Sequence, residues 1–102
     1  MIKRKFQYRH IDLIPKEFAL NEKQRQFVEE YMMLYVKLST RQISEDLVKN
    51  GLAESTFYGF DKRKLGRYKI YPKVAIFLST LWNMGYLERL EVNEFDAIFH
   101  LK

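Results

Sequence analysis

From residue 20 onward the apolar positions of this chain repeat with helical spacing in two places and alternate in a third. Phe27, Tyr31, Leu34, Tyr35 and Leu38 form one stripe, widened by Val28 and Met32, while Glu29, Glu30 and Lys37 lie outside it. Asn21 is a good N-cap for this helix, and Gln24, three residues on, is placed to complete a capping box. So broad an apolar face predicts a central helix packed on two sides, or one that also meets a second subunit. Val74, Phe77, Leu78, Leu81 and Trp82 make the second stripe. Pro72 opens it, because its missing N–H would be unpaired in a first turn anyway, and Gly85 closes it as the residue most able to turn left-handed past a helix end. Residues 86–92 and 95–101 then read as two short strands around Asn93-Glu94.

The remaining segments are less decided. Ser44 is predicted to cap a short helix, with Ile43 before it and Val48 where a hydrophobic staple would close, and Asn50-Gly51 ends that helix. Residues 52–60 read either as a third helix capped by Glu54-Ser55 or as a strand rich in aromatics; 61–68 as a basic loop or helix end; and 67–71 as a strand leading into the Pro72 helix. Residues 5–20 show no helical period: Phe6, Tyr8 and His10 alternate with polar neighbours, which predicts one or two short strands. One internal similarity competes with this layout. At an offset of fifty, residues 18–23 align with 68–73, Phe27, Val28 and Tyr31 fall on Phe77, Leu78 and Leu81, and Ser44 and Asn93 become equivalent caps. The domain organisation is therefore either a basic arm or strand over 1–20 followed by one domain over 21–102, or two strand-helix-helix repeats, 1–53 and 54–102.

With 102 residues, 47% of them apolar and 16% aromatic, the chain suits one domain with a packed core. It has no cysteine, which excludes disulfides and thiolate metal sites. His10 and His100 are ninety residues apart and outside any metal-ligand spacing, and Glu88, Glu91, Glu94 and Asp96 read as a solvated hairpin. No Gly-rich phosphate loop or nucleophile elbow is present, so neither an enzyme nor a cofactor is expected. No apolar run reaches membrane-spanning length and the basic start lacks a signal-peptide core, so a soluble cytoplasmic protein without a membrane partner is expected. The aromatics exceed what a small interior requires, which leaves some for a groove or a dimer contact. The net charge of +5 is concentrated: residues 1–16 carry +4 and residues 61–73 carry +5, whereas 17–60 and 74–102 carry −2 each. Clusters of this kind suit phosphate binding, which releases condensed counterions.

A helix closed by Gly85 and followed directly by an apolar hairpin, as over residues 72–101, resembles the last helix and wing of winged helix-turn-helix proteins. Residues 39–58 resemble a different placement of the motif, known from many bacterial repressors, with a turn at Gly51-Leu52, core positions at Ile43, Leu47 and Leu52, and a recognition helix from near Glu54. Residues 20–31 also resemble the first helix of phage terminase small subunits, which brings in a viral or phage setting. The resemblance implies an α+β fold: a small winged helix-turn-helix-like domain of three main helices with a C-terminal β-hairpin and short N-terminal strands. It further implies a DNA-binding regulator of transcription or replication, acting as a dimer. The expected DNA contacts are Lys62, Arg63, Lys64, Arg67, Lys69 and Lys73, an arm carrying Lys3, Arg4, Lys5 and Arg9, and Thr56 and Tyr58 as phosphate or base contacts. Two features run against it. The 72–84 helix offers only Lys73, Ser79, Thr80 and Asn83 outside its apolar stripe, and the wing sets four carboxylates against Arg89. The alternative is a protein- or peptide-interaction module that binds a partner segment in an aromatic groove between two similar halves.

Overall fold

Asn21 starts the first helix as its sequence predicts. In the computed structural model, which describes residues 14–60, 65–92 and 96–102, the Asn21 side chain accepts from the Gln24 N–H at 2.9 Å and the Gln24 side chain accepts from the Asn21 N–H at 3.0 Å. Two donors left over by the helix ladder are thereby satisfied reciprocally. The other end of the buried Gln24 amide donates to the Leu52 carbonyl at 2.8 Å, tying this turn to a distant loop. Helix α1 (Glu22–Leu34) buries Val28 and Met32, while Phe27 and Tyr31 are half-buried and Leu34 and Tyr35 exposed. The inward face is thus rotated from the expected stripe. Leu38, expected to prolong the helix, is instead buried in strand β1 (Lys37–Ser39) opposite Phe99. Extended backbone here gains a strand partner, and the Val36 carbonyl joins it by accepting the Leu101 N–H at 2.9 Å.

Helix α2 (Thr40–Lys49) is capped by Ser39, whose hydroxyl accepts from the Gln42 N–H at 3.1 Å. The expected cap, Ser44, lies inside the helix, buried, and donates to the Thr40 carbonyl at 2.7 Å. Ser39 displaces it because it is the last extended residue of β1, the backbone state an N-cap requires. Both α2 and α3 (Tyr71–Asn83) end on a left-handed glycine, Gly51 at φ 72° and Gly85 at φ 88°. The Gly51 and Leu52 N–H groups return to the carbonyls of Val48 and Leu47, and those of Gly85 and Tyr86 to Trp82 and Leu81. These paired reverse bonds are the closure that a glycine past the helix end permits.

Between α2 and α3 the chain forms a hairpin of β2 (Phe57–Phe60) and β3 (Gly66–Tyr68). The aromatic-strand reading of residues 52–60 therefore holds, and the helix from near Glu54 required by the repressor-type placement does not form. Aromatic residues on β2 gain a ladder with β3, closed at its base by the Lys69 N–H donating to the Thr56 carbonyl at 2.9 Å. After α3, β4 (Leu87–Val92) and β5 (Ala97–Leu101) make the C-terminal antiparallel hairpin, and β1 adds on the far side of β5, in the order β1-β5-β4. A repeat would require a second helix after Asn93, where residues 97–101 are instead a strand, so the two-repeat layout is not the one adopted. The expected N-terminal strands fall largely on residues outside those described; Lys16–Phe18 forms a single 3-10 turn. The fold is α+β, three helices with a three-stranded sheet and a separate hairpin.

The core joins Val28 and Met32 of α1, Ile43 and Leu47 of α2, and Val74, Phe77, Leu78 and Leu81 of α3 to Leu38, Leu87 and Phe99 of the sheet. A polar knot beside it fixes how these pieces meet. Asp96, immediately before β5, accepts the Ser39 hydroxyl, the Arg41 N–H at 3.0 Å, the Ala97 N–H at 2.8 Å and the Tyr71 hydroxyl at 3.3 Å. The Thr40 hydroxyl donates to the Ala97 carbonyl at 2.6 Å. A carboxylate in this place satisfies an orphan N–H of α2 and faces the positive end of its dipole. Asp96 is therefore an internal cap, not one of the solvated acids expected of the C-terminal hairpin.

Tyr71 is held neutral by this setting. Burial, and then the charge and hydrogen bond of Asp96, push its hydroxyl up to about 12, against the opposing pull of Arg67 and the Ala97 N–H. The folded state keeps the proton to about pH 12, whereas an ordinary tyrosine loses it at 10.0. This contribution to stability is thus full below pH 10 and is lost as pH rises toward 12. Thermal melts across that window should show a shallower alkaline decline for Tyr71→Phe than for the parent. Asp96→Ala should lower the free energy of unfolding by about 2 kcal/mol in urea titrations, through loss of the cap and of the Tyr71 and Ser39 bonds.

Candidate nucleic-acid interface

The β2–β3 hairpin feeds directly into the first turn of α3, and the described basic residues of the 61–73 segment collect at that junction. Arg67 on β3 is half-buried, with its guanidinium 5.0 Å from the centre of the Tyr71 ring. Lys69 is exposed just beyond β3, and Lys73 stands half-buried in the first turn of α3. Together they line a recess of about 340 Å³ with Gln24, Ala53, Glu54 and Ile70. Ile70, the N-cap of α3, supplies no side-chain acceptor to that helix end. An anion placed there would meet two ammonium groups and the positive end of the helix, against the single opposing carboxylate of Glu54. Thr56 and Tyr58 are both exposed, and the Thr56 carbonyl is paired with the Lys69 N–H, so both lie on the same hairpin as these cations. Lys62, Arg63 and Lys64, and the arm residues Lys3, Arg4, Lys5 and Arg9, lie outside the described residues.

The outward side of α3 divides into two stripes. Ile76, Thr80, Asn83 and Met84 face Ile14, Pro15 and Phe18 across a groove of about 410 Å³. Thr80, expected to be available for contacts, donates its hydroxyl to the Ile76 carbonyl at 2.7 Å. The second stripe holds Pro72, Ala75, Ser79 and Trp82, of which Pro72 is exposed and the others half-buried. Trp82 packs against the edge of the core, and the guanidinium of Arg89 on β4 covers its ring at 4.2 Å from the centroid. This contact brings a positive charge from β4 to the C-terminal half of α3. With Asp96 turned inward, the described outer positions of β4 are Glu88, Arg89, Leu90 and Glu91, all exposed and still acidic in balance.

Three features escaped the sequence pattern. Asp96 looked like one of several wing acids, and nothing local marks its role at a helix start 55 residues away. Arg89 gives no signal until β4 folds back along α3. The rings of Phe57, Phe60 and Tyr68 gather on the hairpin, although simple alternation would separate Phe57 from Phe60. Leu34 and Tyr35 of the expected stripe, with Met33 and Val36 beside them, are exposed at the end of α1, Leu34 to 74%.

Among the described residues no helix is long and apolar enough to cross a membrane, and no three His, Asp or Glu side chains gather as a cation site would need. The chain matches no family model, no curated protein and no solved structure. Trp82 is the one tryptophan of the sequence, so the Arg89 contact is directly observable. Arg89→Ala should red-shift its emission and cost about 0.5–1 kcal/mol of stability.

Proposed function

We propose that this chain is a DNA-binding protein of winged helix-turn-helix type, without enzymatic activity, that grips the phosphate backbone with the junction between the β2–β3 hairpin and α3. The observation that carries the reading is the meeting of Lys69 and Lys73 in one recess at the start of α3, next to the strand that holds Arg67; the sequence preceding Ile14 adds further basic residues. Between residues 55 and 87 the sequence has six basic residues and Asp61 as its one acid, so approach of a polyanion along this stretch meets little repulsion. In this reading the hairpin takes over the electrostatic work that the acidic β4 side of the wing performs poorly. Ala75 and Ser79 are small enough to let a sugar-phosphate backbone approach α3 closely, and Ser79 is the neutral polar side chain of that face left to read base edges. Affinity is therefore dominated by phosphate contacts, with modest sequence preference. A role in controlling transcription or replication inside the cell fits such a protein.

Anisotropy titrations of labelled duplex DNA at several salt concentrations test the reading. The logarithm of the association constant should fall linearly with the logarithm of salt, and Lys69→Ala and Lys73→Ala should each reduce that slope by about one. Absence of binding, or binding indifferent to salt, rejects it.

A further inference from the structure

The β2–β3 hairpin exposes aromatic surface in an ordered way. Phe57, Tyr58 and Phe60 are 43%, 50% and 69% exposed. Phe57 pairs with Tyr68, Gly59 with Arg67 and Phe60 with Gly66, so Tyr58 is an extra residue in β2. This bulge shifts the alternation, and Phe57 and Phe60 come to share one face with Tyr68. Their rings are packed together, with Phe57 4.8 Å from Tyr68 and 5.8 Å from Phe60, centre to centre. Gly66 forms the floor: a Cβ added there would lie 2.6 Å from three atoms of the Phe57 ring. The glycine lets that ring lie flat over the strand, and the neighbouring rings hold it in place. Three aromatic side chains are thus fixed before any partner arrives, which lowers the ordering cost of binding.

The charge around this surface identifies the partner. Lys62, Arg63 and Lys64 connect its two strands in the sequence and the exposed Lys69 follows at its base, whereas Arg67 lies on the opposite face against the Tyr71 ring. Flat π-faces beside concentrated positive charge are the combination that holds unpaired nucleotides, since every base can stack and every phosphate can be neutralised. A continuous duplex keeps its base faces buried in its own stack and offers none to the rings. Building on the DNA-binding reading above, we propose that Phe57, Phe60 and Tyr68 form a stacking platform for unpaired DNA bases, which directs the protein to duplexes that contain an opened stretch.

The test compares a labelled duplex with the same duplex carrying a central run of mismatched, unpaired bases, for the parent, Phe60→Ala and Phe60→Trp. The parent should bind the opened probe about tenfold more tightly than the closed one, and Phe60→Ala should lose about that factor on the opened probe alone. Phe60→Trp should retain the preference, and the fluorescence of the introduced indole should be quenched by the opened probe more than by the closed one. Because Phe60 is largely exposed, melting temperatures of both variants should stay at the parent value. Equal affinity of the parent for the two probes, or a preference untouched by Phe60→Ala, overturns the platform while leaving salt-dependent duplex binding intact. Failure of the parent to bind either probe overturns both readings.

Discussion

A single carboxylate governs how the helices of this protein meet its sheet. Asp96 lies before the last strand, yet its oxygens serve the first turn of α2 through Ser39 and Arg41 and the first residue of α3 through Tyr71. Three elements distant in sequence are thereby referred to one point. The linkage continues outward, because the Arg41 side chain donates to the Gly66 carbonyl at 3.0 Å and lies 3.7 Å from Glu45. A chain of polar contacts thus runs from the terminal hairpin, through the start of α2, to the hairpin that carries the aromatic rings. Hydrophobic burial supplies most of the driving force for folding, but it is non-directional. The Asp96 network sets the angles, as a fully satisfied polar network does best.

The same carboxylate shapes the electrostatic surface. Once Asp96 is withdrawn into the fold, the repulsion expected of the wing falls to Glu88 and Glu91 on the described part of β4, with Arg89 between them in sequence and stacked on Trp82. Lys69 and Lys73 line one recess at the start of α3.

Local signals in the sequence were reliable where they involve neighbours along the chain. The Asn21–Gln24 box, Pro72 near the start of α3, Gly51 and Gly85 beyond their helices, and the two C-terminal strands are all found at or close to their expected positions. What required long-range partners was not legible. Leu38 fits a helical stripe, and β5 decides otherwise. Ser44 has the flanking residues of a cap, but Ser39 already occupies the extended position that follows a strand nobody could infer from residues 37–39 alone. The apparent repeat reflected two amphipathic helices of similar composition, and it ended where residues 97–101 found β1 and β4 as partners. Of the candidate site, the basic cluster could be read from charge alone, whereas the shared face of Phe57 and Phe60 depends on a bulge that leaves no compositional trace.

The central claim is that DNA is met by the face built from the β2–β3 hairpin and α3. Amide chemical-shift mapping on isotopically labelled protein, titrated with duplex DNA at low salt, addresses it most directly. The account predicts that the perturbed amides concentrate in residues 56–60, 65–73 and the outer turns of α3, and that the exposed residues 33–36 and Glu88 stay unmoved. Perturbations centred on the end of α1 or on β4, with the hairpin silent, would contradict it.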